Sequence, residues 1–141
     1  MTDVGTTCLC IDLRVAANRL TKLYDEALAP SGISVTQFSQ LHSIRSLGAP
    51  TLRALSEATG LDRSTLGRNV RVLEKQGLVT IAAGDDARTR TLRLTDEGER
   101  AFAAAAPLWY ATQKRLVERI GTDGRARLDA LLAELVESEA A

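Results

Sequence analysis

The sequence predicts a mainly α-helical domain with one small β-hairpin, and three observations support this fold class. Apolar residues recur at helical spacing over most of the 141 residues. Two short segments rich in β-branched residues flank the turn formers Gly84, Asp85 and Asp86. Glycine or proline follows every helical segment except the last, and these residues commonly end helices. The length is that of a single domain.

The first two helices are predicted on either side of Pro30. A wide apolar face at helical spacing predicts a helix over residues 8–29. Ser34 and Gln37 then have the spacing of a capping box, which predicts a second helix over Val35–Leu47. Its buried side chains would be Phe38, Leu41 and Ile44.

Two further helices are predicted on either side of Gly60. Thr51 would cap a short third helix, and Gly60 would end it in the left-handed conformation that glycine adopts easily. Asp62 would cap the fourth helix. The inward side chains would be Leu52, Leu55 and Ala58 in the third helix and Leu66, Val70 and Leu73 in the fourth.

The C-terminal part is predicted to form two helices that are separated by Gly121. Thr95 would cap the first of them, and Pro107 should kink it because proline removes one backbone donor. The last helix, over residues 123–137, has an apolar stripe that is too wide for a lone surface helix. A second copy of the chain is therefore expected to cover the terminal helices, the alternative being that both ends pack on their own subunit. The stripe consists of Leu128, Leu131, Leu132, Leu135 and Val136.

The fourth helix and the hairpin indicate a function in binding duplex DNA. Two short helices around a glycine turn form a helix-turn-helix, whose second helix fits the major groove. Arginine can donate two hydrogen bonds to guanine there. The hairpin, expected over residues 78–82 and 89–94, would be a wing whose arginines reach phosphates or the minor groove. The outer face of the fourth helix carries Ser64, Arg68, Arg71 and Lys75, and the hairpin carries Arg88, Arg90 and Arg93.

The distribution of charge agrees with this hypothesis. The formal net charge of the chain is zero, but residues 51–93 contain eight Lys and Arg against five Asp and Glu. Residues 121–141 contain two against five. The positive potential is therefore local, as expected when one face of a protein meets phosphate. The alternative is that the charged helix face is merely solvated.

The hairpin and the fourth helix also carry a fairly specific motif. The residues from Asp86 to Thr95, with Gly98, match the pattern D-x-R…L-x-L-T-x-x-G. This pattern resembles the wing signature of the MarR family of regulators, and residues 61–79 resemble the recognition helix of that family. The resemblance implies a winged-helix homodimer that binds a pseudo-palindromic DNA. It also implies that Arg88 is the wing-tip arginine oriented by Asp86, and that Ser64, Thr65 and Arg68 face the groove; Arg63, Arg71 and Arg90 complete the predicted DNA-binding set.

The resemblance divides the chain into three parts. Residues 8–32 would form an N-terminal dimerisation helix. Residues 33–98 would form the winged helix-turn-helix, with its recognition helix over residues 62–76 and its wing over residues 78–95. Residues 99–141 would form C-terminal dimerisation helices. The expected architecture is thus a winged helix-turn-helix with dimerisation helices from both termini.

The N-terminal helix contains candidates for a redox signal. Residues 9–33 resemble the first helix of the organic-hydroperoxide-sensing branch of this family. The resemblance implies that Cys10 is reactive and that Tyr24 stabilises its thiolate from the partner subunit. Arg14, one helical turn past Cys10, could also favour a thiolate by its charge. Cys8 could join an intersubunit disulfide, or a disulfide within the chain after local unwinding.

Other hypotheses about the signal stay open. Cys8 and Cys10 could bind a soft metal with ligands from two subunits or from His42, or serve only as small apolar residues near the helix start. A small aromatic or phenolic ligand could instead bind between the dimer helices and the winged helix. The candidate lining residues are Arg19, Tyr24, Phe38, His42, Trp109 and Tyr110.

The sequence also argues against several function classes. A single histidine cannot form a two-histidine catalytic site, and the motifs of phosphate loops, nucleophile elbows and dinucleotide-binding folds are absent. We therefore expect no enzymatic activity, no resident metal and no cofactor. No apolar run approaches the ~20 residues of a membrane span, and a signal-peptide pattern is missing, so a cytoplasmic location is expected. The alternative function is a winged-helix module for protein association without DNA binding.

Overall fold

The computed structural model describes residues 8–83 and 89–137 and confirms a mainly helical fold with one hairpin. The described elements agree with the predicted ones to within about two residues at each boundary. They are, in chain order, α1 (Leu9–Leu28), a short 3-10 helix (Ala29–Ser31), α2 (Val35–Leu47), α3 (Leu52–Thr59), α4 (Arg63–Lys75), β1 (Val79–Ala83), β2 (Arg90–Leu94) and α5 (Asp96–Glu137).

Side-chain caps start the helices where the sequence predicts them. Ser34 Oγ accepts a hydrogen bond from the Gln37 N–H at 3.1 Å, and Gln37 Oε1 accepts one from the Ser34 N–H at 3.0 Å. This reciprocal pair confirms the capping box of α2. Thr51 Oγ1 accepts from the Ala54 N–H at 3.0 Å at the start of α3. Gly60 ends α3 with a φ of 76°, in the predicted left-handed conformation.

The core joins α2, α3, α4, the hairpin and the first half of α5. The predicted inward rows of α2 and α4 are buried. Ala58 is exposed, contrary to the prediction, because Leu55 and Thr59 define the inward face of α3 and Ala58 lies about 100° from Thr59 around the helix. The buried apolar side chains are Leu28, Ile33, Phe38, Leu41, Ile44, Leu55, Leu66, Val70, Leu73, Leu78, Val79, Leu92 and Ala105.

The hairpin is attached to the start of α3. β1 and β2 are antiparallel, with Val79 opposite Leu94. Thr51 forms an isolated bridge with Thr91 of β2, and the Leu92 N–H donates to the carbonyl that precedes Thr51 at 2.9 Å. The hairpin and the helix-turn-helix therefore form one packed unit.

The base of the hairpin is closed by Thr95. Its hydroxyl donates to the Gly77 carbonyl at 2.5 Å and accepts from the Gly98 N–H at 3.0 Å. Its own N–H donates to the Leu78 carbonyl at 3.0 Å. A Cβ on Gly98 would lie 2.0 Å from the Leu78 carbonyl oxygen. The T-x-x-G part of the motif therefore has a structural cause: threonine makes the bonds and glycine leaves the space.

α5 consists of two helical segments that meet at Gly121. This residue has φ 79° and ψ 164°, and it is the one described residue of α5 with non-helical backbone angles. The predicted separation at Gly121 is confirmed. Pro107 lies inside the first segment and keeps helical backbone angles, which the fixed φ of proline allows. The kink expected there stays a prediction.

Both terminal helices leave large apolar side chains exposed. Val136, for example, is 72% exposed. None of the helices within residues 8–83 and 89–137 has the length and apolar character needed to cross a membrane. The exposed apolar residues are Leu9, Ile11, Leu13, Val15 and Leu20 on α1, and Tyr110, Ile120, Leu128, Leu131, Leu132, Leu135 and Val136 on α5.

Candidate nucleic-acid interface

α4 presents four cationic side chains to solvent, and three of them lie on the outer face, opposite its buried apolar row. The apolar row on the opposite side of the helix is buried in the core, so the cations are held outward by packing. Within the part of the chain that the structure describes, none of them forms a salt bridge. Their charges are therefore available to an external anion. The three on the outer face are Arg68, Arg71 and Lys75, and the fourth is Arg63, the first residue of α4, which is exposed at the helix start. Ser64 is exposed and Thr65 is half-buried.

An ionised carboxylate organises the first turn of α4. Asp62 Oδ1 accepts from the Thr65 N–H at 3.0 Å, and Oδ2 accepts from Ser64 Oγ at 3.2 Å. Hydrogen bonds from Thr65, with smaller contributions from Ser64 and the charge of Arg68, hold the pKa of Asp62 below its usual range. The cap is therefore charged at neutral pH and orients the residues that begin α4.

The wing places two further arginines on the surface. Arg90 and Arg93 of β2 are exposed, while Leu92 between them is buried and anchors the strand. Arg93 lies opposite Thr80 in the hairpin. Asp86 and Arg88 lie outside the described residues, so their roles at the wing tip stay predictions.

Two apolar side chains next to the basic face were not singled out by the sequence. Val72 of α4 is 48% exposed, and Leu61 in the turn before α4 is 42% exposed. A helical wheel places Val72 only about 40° from Arg68, at the edge of the basic face, which is the signal that could have found it. Such side chains can contact the methyl group of thymine in the major groove.

The two cysteines lie at the start of α1. Cys8 is the N-cap residue, with extended backbone angles, and the helix begins one residue later than the predicted residue 8. Cys10 lies in the first turn, and both thiols are free and exposed. The described residues contain no group of three or more His, Cys, Asp or Glu that could hold a metal ion. Within these residues, Cys8 and Cys10 therefore lack the further ligands that a soft-metal site needs.

Tyr24 is bound within its own subunit. Its hydroxyl donates to Gln113 Oε1 of α5. Burial raises the pKa of the Tyr24 phenol, and the charge of Arg125 partly offsets this effect. Tyr24 lies fourteen residues after Cys10, about 21 Å along a helix. The two side chains of one chain are therefore too distant to meet, and the predicted contact requires a partner subunit.

Four of the six candidate ligand-pocket residues belong to one aromatic cluster. Phe38 stacks on Trp109 with 5.6 Å between ring centroids and meets Phe102 at 5.0 Å. His42 is exposed and its ring lies 5.9 Å from that of Phe102. Phe102, which the sequence did not single out, thus joins His42 to Phe38 in this aromatic cluster. Tyr110 is exposed at its edge.

Arg19 is exposed on α1. Among the described residues, no ring contact or hydrogen bond joins it to the aromatic cluster. A separate cleft of about 260 Å³ lies between α1 and α5, next to the Tyr24–Gln113 hydrogen bond. It is lined by Leu20, Tyr24, Gln113, Leu116, Val117, Arg119, Ile120, Arg125 and Leu128.

Comparisons with known proteins agree with this geometry. Residues 31–89 match the sequence model of the MarR family. The transcriptional regulator MosR of M. tuberculosis, solved in complex with DNA, is 41% identical with a TM-score of 0.81, over 94% of this chain and 98% of that one. A mutant of MarR from E. coli, in complex with operator DNA, has a TM-score of 0.83 at 24% identity, over 96% of this chain and 99% of that one. At this identity the likeness concerns the fold alone.

The chain is also similar to YwoH of Bacillus subtilis, an uncharacterized HTH-type transcriptional regulator. It is 29% identical over 87 residues, which are 62% of this chain and 64% of YwoH. The aligned region thus spans slightly less than two thirds of that protein.

Proposed function

Since the chain belongs to the MarR family of DNA-binding transcriptional regulators, we propose that it is a homodimeric repressor of a pseudo-palindromic operator. The outer face of α4 enters the major groove, and the wing contacts the adjoining backbone or minor groove. A small ligand or the oxidation of a thiol releases the operator. The observation that carries the proposal is the set of exposed cations on α4 without salt bridges among the described residues.

Arg68 and Arg71 are the central candidates for base contacts. They lie near the middle of the exposed face of α4, opposite the buried row. A major groove about 12 Å wide admits a helix, and arginine recognises guanine there by two hydrogen bonds. MosR, which is 41% identical to this chain, was solved in complex with DNA, and this supports DNA as the partner of the present chain.

Two copies of α4 would bind the two half-sites. Half-sites one helical turn apart require recognition helices separated by roughly 34–36 Å. The exposed apolar side chains of α1 and α5 support a dimer, because water contact with this much apolar surface is unfavourable. The separation of the two α4 helices is then the quantity that controls affinity.

The start of α1 is the proposed redox element. Cys10 lies in the first helical turn and Cys8 immediately outside it, so loss of one turn would let the two thiols approach each other. A disulfide between subunits is the other form that oxidation could give. Either change alters α1 and with it the separation of the recognition helices. The aromatic cluster that contains Phe38 and Phe102 is the corresponding candidate for a small aromatic ligand.

A salt series on duplex DNA tests the proposal. Affinity should fall steeply with salt, because phosphate contacts release counterions. Arg68→Ala should weaken binding by about 1–3 kcal/mol and relax sequence preference. Arg115→Ala, which removes the same charge from an exposed position on α5, is the matched control and should have little effect. Absent or salt-independent binding would favour the protein-association alternative.

The redox signal has its own test. Mild oxidant should weaken operator binding by the wild-type protein, and Cys10→Ser should remove this response. Cys8→Ser separates the two disulfide forms, since a disulfide within the chain needs both thiols. An unchanged oxidant response in Cys10→Ser would eliminate this mechanism and leave a small ligand as the signal.

A further inference from the structure

The junction between α1 and α2 is fixed by a side-chain hydrogen bond. Asp25 Oδ1 of α1 accepts from the N–H of Val35, the first residue of α2, at 2.8 Å. Asp25 is half-buried. An aspartate at this place binds one of the backbone donors that a helix start leaves without a partner. The direction of α2 is thereby tied to that of α1.

The capping box of α2 extends to a second helix. Gln37 Oε1 accepts from the Ser34 N–H at 3.0 Å. The amide oxygen is therefore engaged, and the amide nitrogen must be the atom that faces α4. Gln37 Nε2 donates to Gln76 Oε1 at 2.8 Å. The orientation of the Gln37 amide thus follows from its two partners.

Gln76 lies at the end of α4. It is the C-cap residue, and its N–H donates to the Val72 carbonyl at 3.0 Å. The next two residues, Gly77 and Leu78, accept the hydrogen bonds of Thr95 at the base of the wing. The Gln37–Gln76 bond therefore joins α2 to the point where the recognition helix meets the wing.

We propose that Gln37 is a positioning residue that sets the tilt of the recognition helix relative to the dimerisation helix α1. The proposal rests on the DNA-binding function proposed above. Along the body of α4 the anchorage is apolar packing of Leu66, Val70 and Leu73, which is not directional. A hydrogen bond has a preferred angle and length. At the end of a 13-residue helix, about 20 Å long, it restricts tilt more than a central contact would.

A fixed tilt of α4 would make the affinity of the dimer depend on the spacing of the two half-sites. A dimer with a fixed tilt of α4 binds one half-site separation best. A dimer with a looser tilt accepts neighbouring separations with less difference in affinity. Gln37 and Gln76 are exposed or half-buried, so they can be changed without opening the core.

The experiment uses the full chain and inverted repeats of a half-site selected from a random duplex library. The separation of the two half-sites is varied in steps of one base pair. Gln76→Met keeps the length of the side chain and removes the acceptor. It should reduce the ratio of the affinities for the optimal and the neighbouring separations by roughly two- to tenfold, the range expected for one hydrogen bond. Gln76→Glu keeps an acceptor for Gln37 and should retain the preference, although its charge lowers affinity for every duplex alike.

The outcomes separate this inference from the proposed function. A merely structural role would lower the thermal stability of Gln76→Met and its affinity for all duplexes equally, and the spacing preference would be unchanged. That result, beside a clear optimum for the wild-type protein, would overturn the positioning role alone. A wild-type protein that selects no sequence would overturn the function and the positioning role together.

Discussion

At the base of the wing, the carbonyl oxygen of Leu78 occupies the space that a side chain at position 98 would need. We expect Gly98→Ala to destabilise the fold by about 1–3 kcal/mol, as overpacking typically does. The reason is that the new Cβ would lie 2.0 Å from the Leu78 carbonyl oxygen, which cannot move without breaking the Thr95 hydrogen bond. Thermal unfolding measures the effect, and an unchanged Tm would contradict it.

Gly67 in α4 is the matched control for Gly98. Both glycines are helical, but the nearest atom to a Cβ on Gly67 is Leu52 Cδ2 at 3.9 Å, an ordinary contact. Alanine there should fit and should stabilise the protein by up to about 1 kcal/mol, because glycine is a poor helix former. If both alanine variants shift the Tm in the same direction, the steric explanation for Gly98 is wrong.

The charge of Asp62 predicts a pH dependence of stability. Its pKa is lowered in the folded chain by hydrogen bonds from Thr65. The stabilisation is therefore present above the pKa that Asp62 has in the unfolded chain. It is lost as the pH falls through the lower pKa that Asp62 has in the folded chain. We expect wild-type stability to fall below about pH 4 more steeply than that of Asp62→Asn, which keeps a cap without a charge.

Comparison of the two unfolding curves at neutral and acidic pH isolates Asp62 from the other carboxylates. The difference in stability between the wild-type protein and Asp62→Asn should shrink as the pH falls. A difference that stays constant from pH 7 to pH 3 would mean that the carboxylate charge contributes nothing to the cap.

At the scale of the elements, the capping box of α2 is expected to contribute to the stability of the protein. Ser34→Ala should destabilise the protein by about 0.5–2 kcal/mol, because it removes the acceptor of the Gln37 N–H. Ser39→Ala in the same helix changes an exposed serine and should be neutral or slightly stabilising, since alanine is the better helix former. Equal losses in chemical denaturation would show that the cap is not the cause.

The helices were predictable because their determinants are local. Ser34 and Gln37, three residues apart, specify the start of α2, and Gly60 specifies the end of α3. Periodicity also identified the basic face of α4, since burial of the opposite row follows from it. Ala58 was misplaced because a short helix has too few residues to define its inward face.

The contacts between elements were not predictable. The Tyr24–Gln113 and Gln37–Gln76 bonds join residues far apart in sequence, and no local pattern indicates them. The bridge between Thr51 and the hairpin depends on tertiary packing in the same way. The sequence therefore predicts the basic face of α4 more readily than the contacts between elements that orient this face.

For the molecule as a whole, the distribution of exposed apolar surface matters more than any single contact. The core is closed around α2, α3, α4 and the wing, whereas α1 and the end of α5 keep apolar side chains in solvent. The part that we propose to contact DNA is thus stabilised by its own packing. The terminal helices gain most from a second copy, which would also place a second α4 at a defined distance.

Leu131 tests this view of the dimer. It is 57% exposed in the single chain, so Leu131→Glu should leave the subunit folded. Burial of an unpaired carboxylate in an interface is costly, and we expect the dimer dissociation constant to rise by roughly tenfold or more. Sedimentation equilibrium measures this constant. Affinity for a two-half-site operator should fall with it, while affinity for a single half-site should not.

Leu47 provides the control for Leu131. It is 43% exposed at the end of α2, outside the terminal helices. Leu47→Glu adds the same charge and should leave the dimer intact. If Leu131→Glu remains dimeric, the last helix does not form the interface. If the wild-type protein is itself monomeric, the operator must be recognised by single subunits, and half-site spacing could not influence affinity.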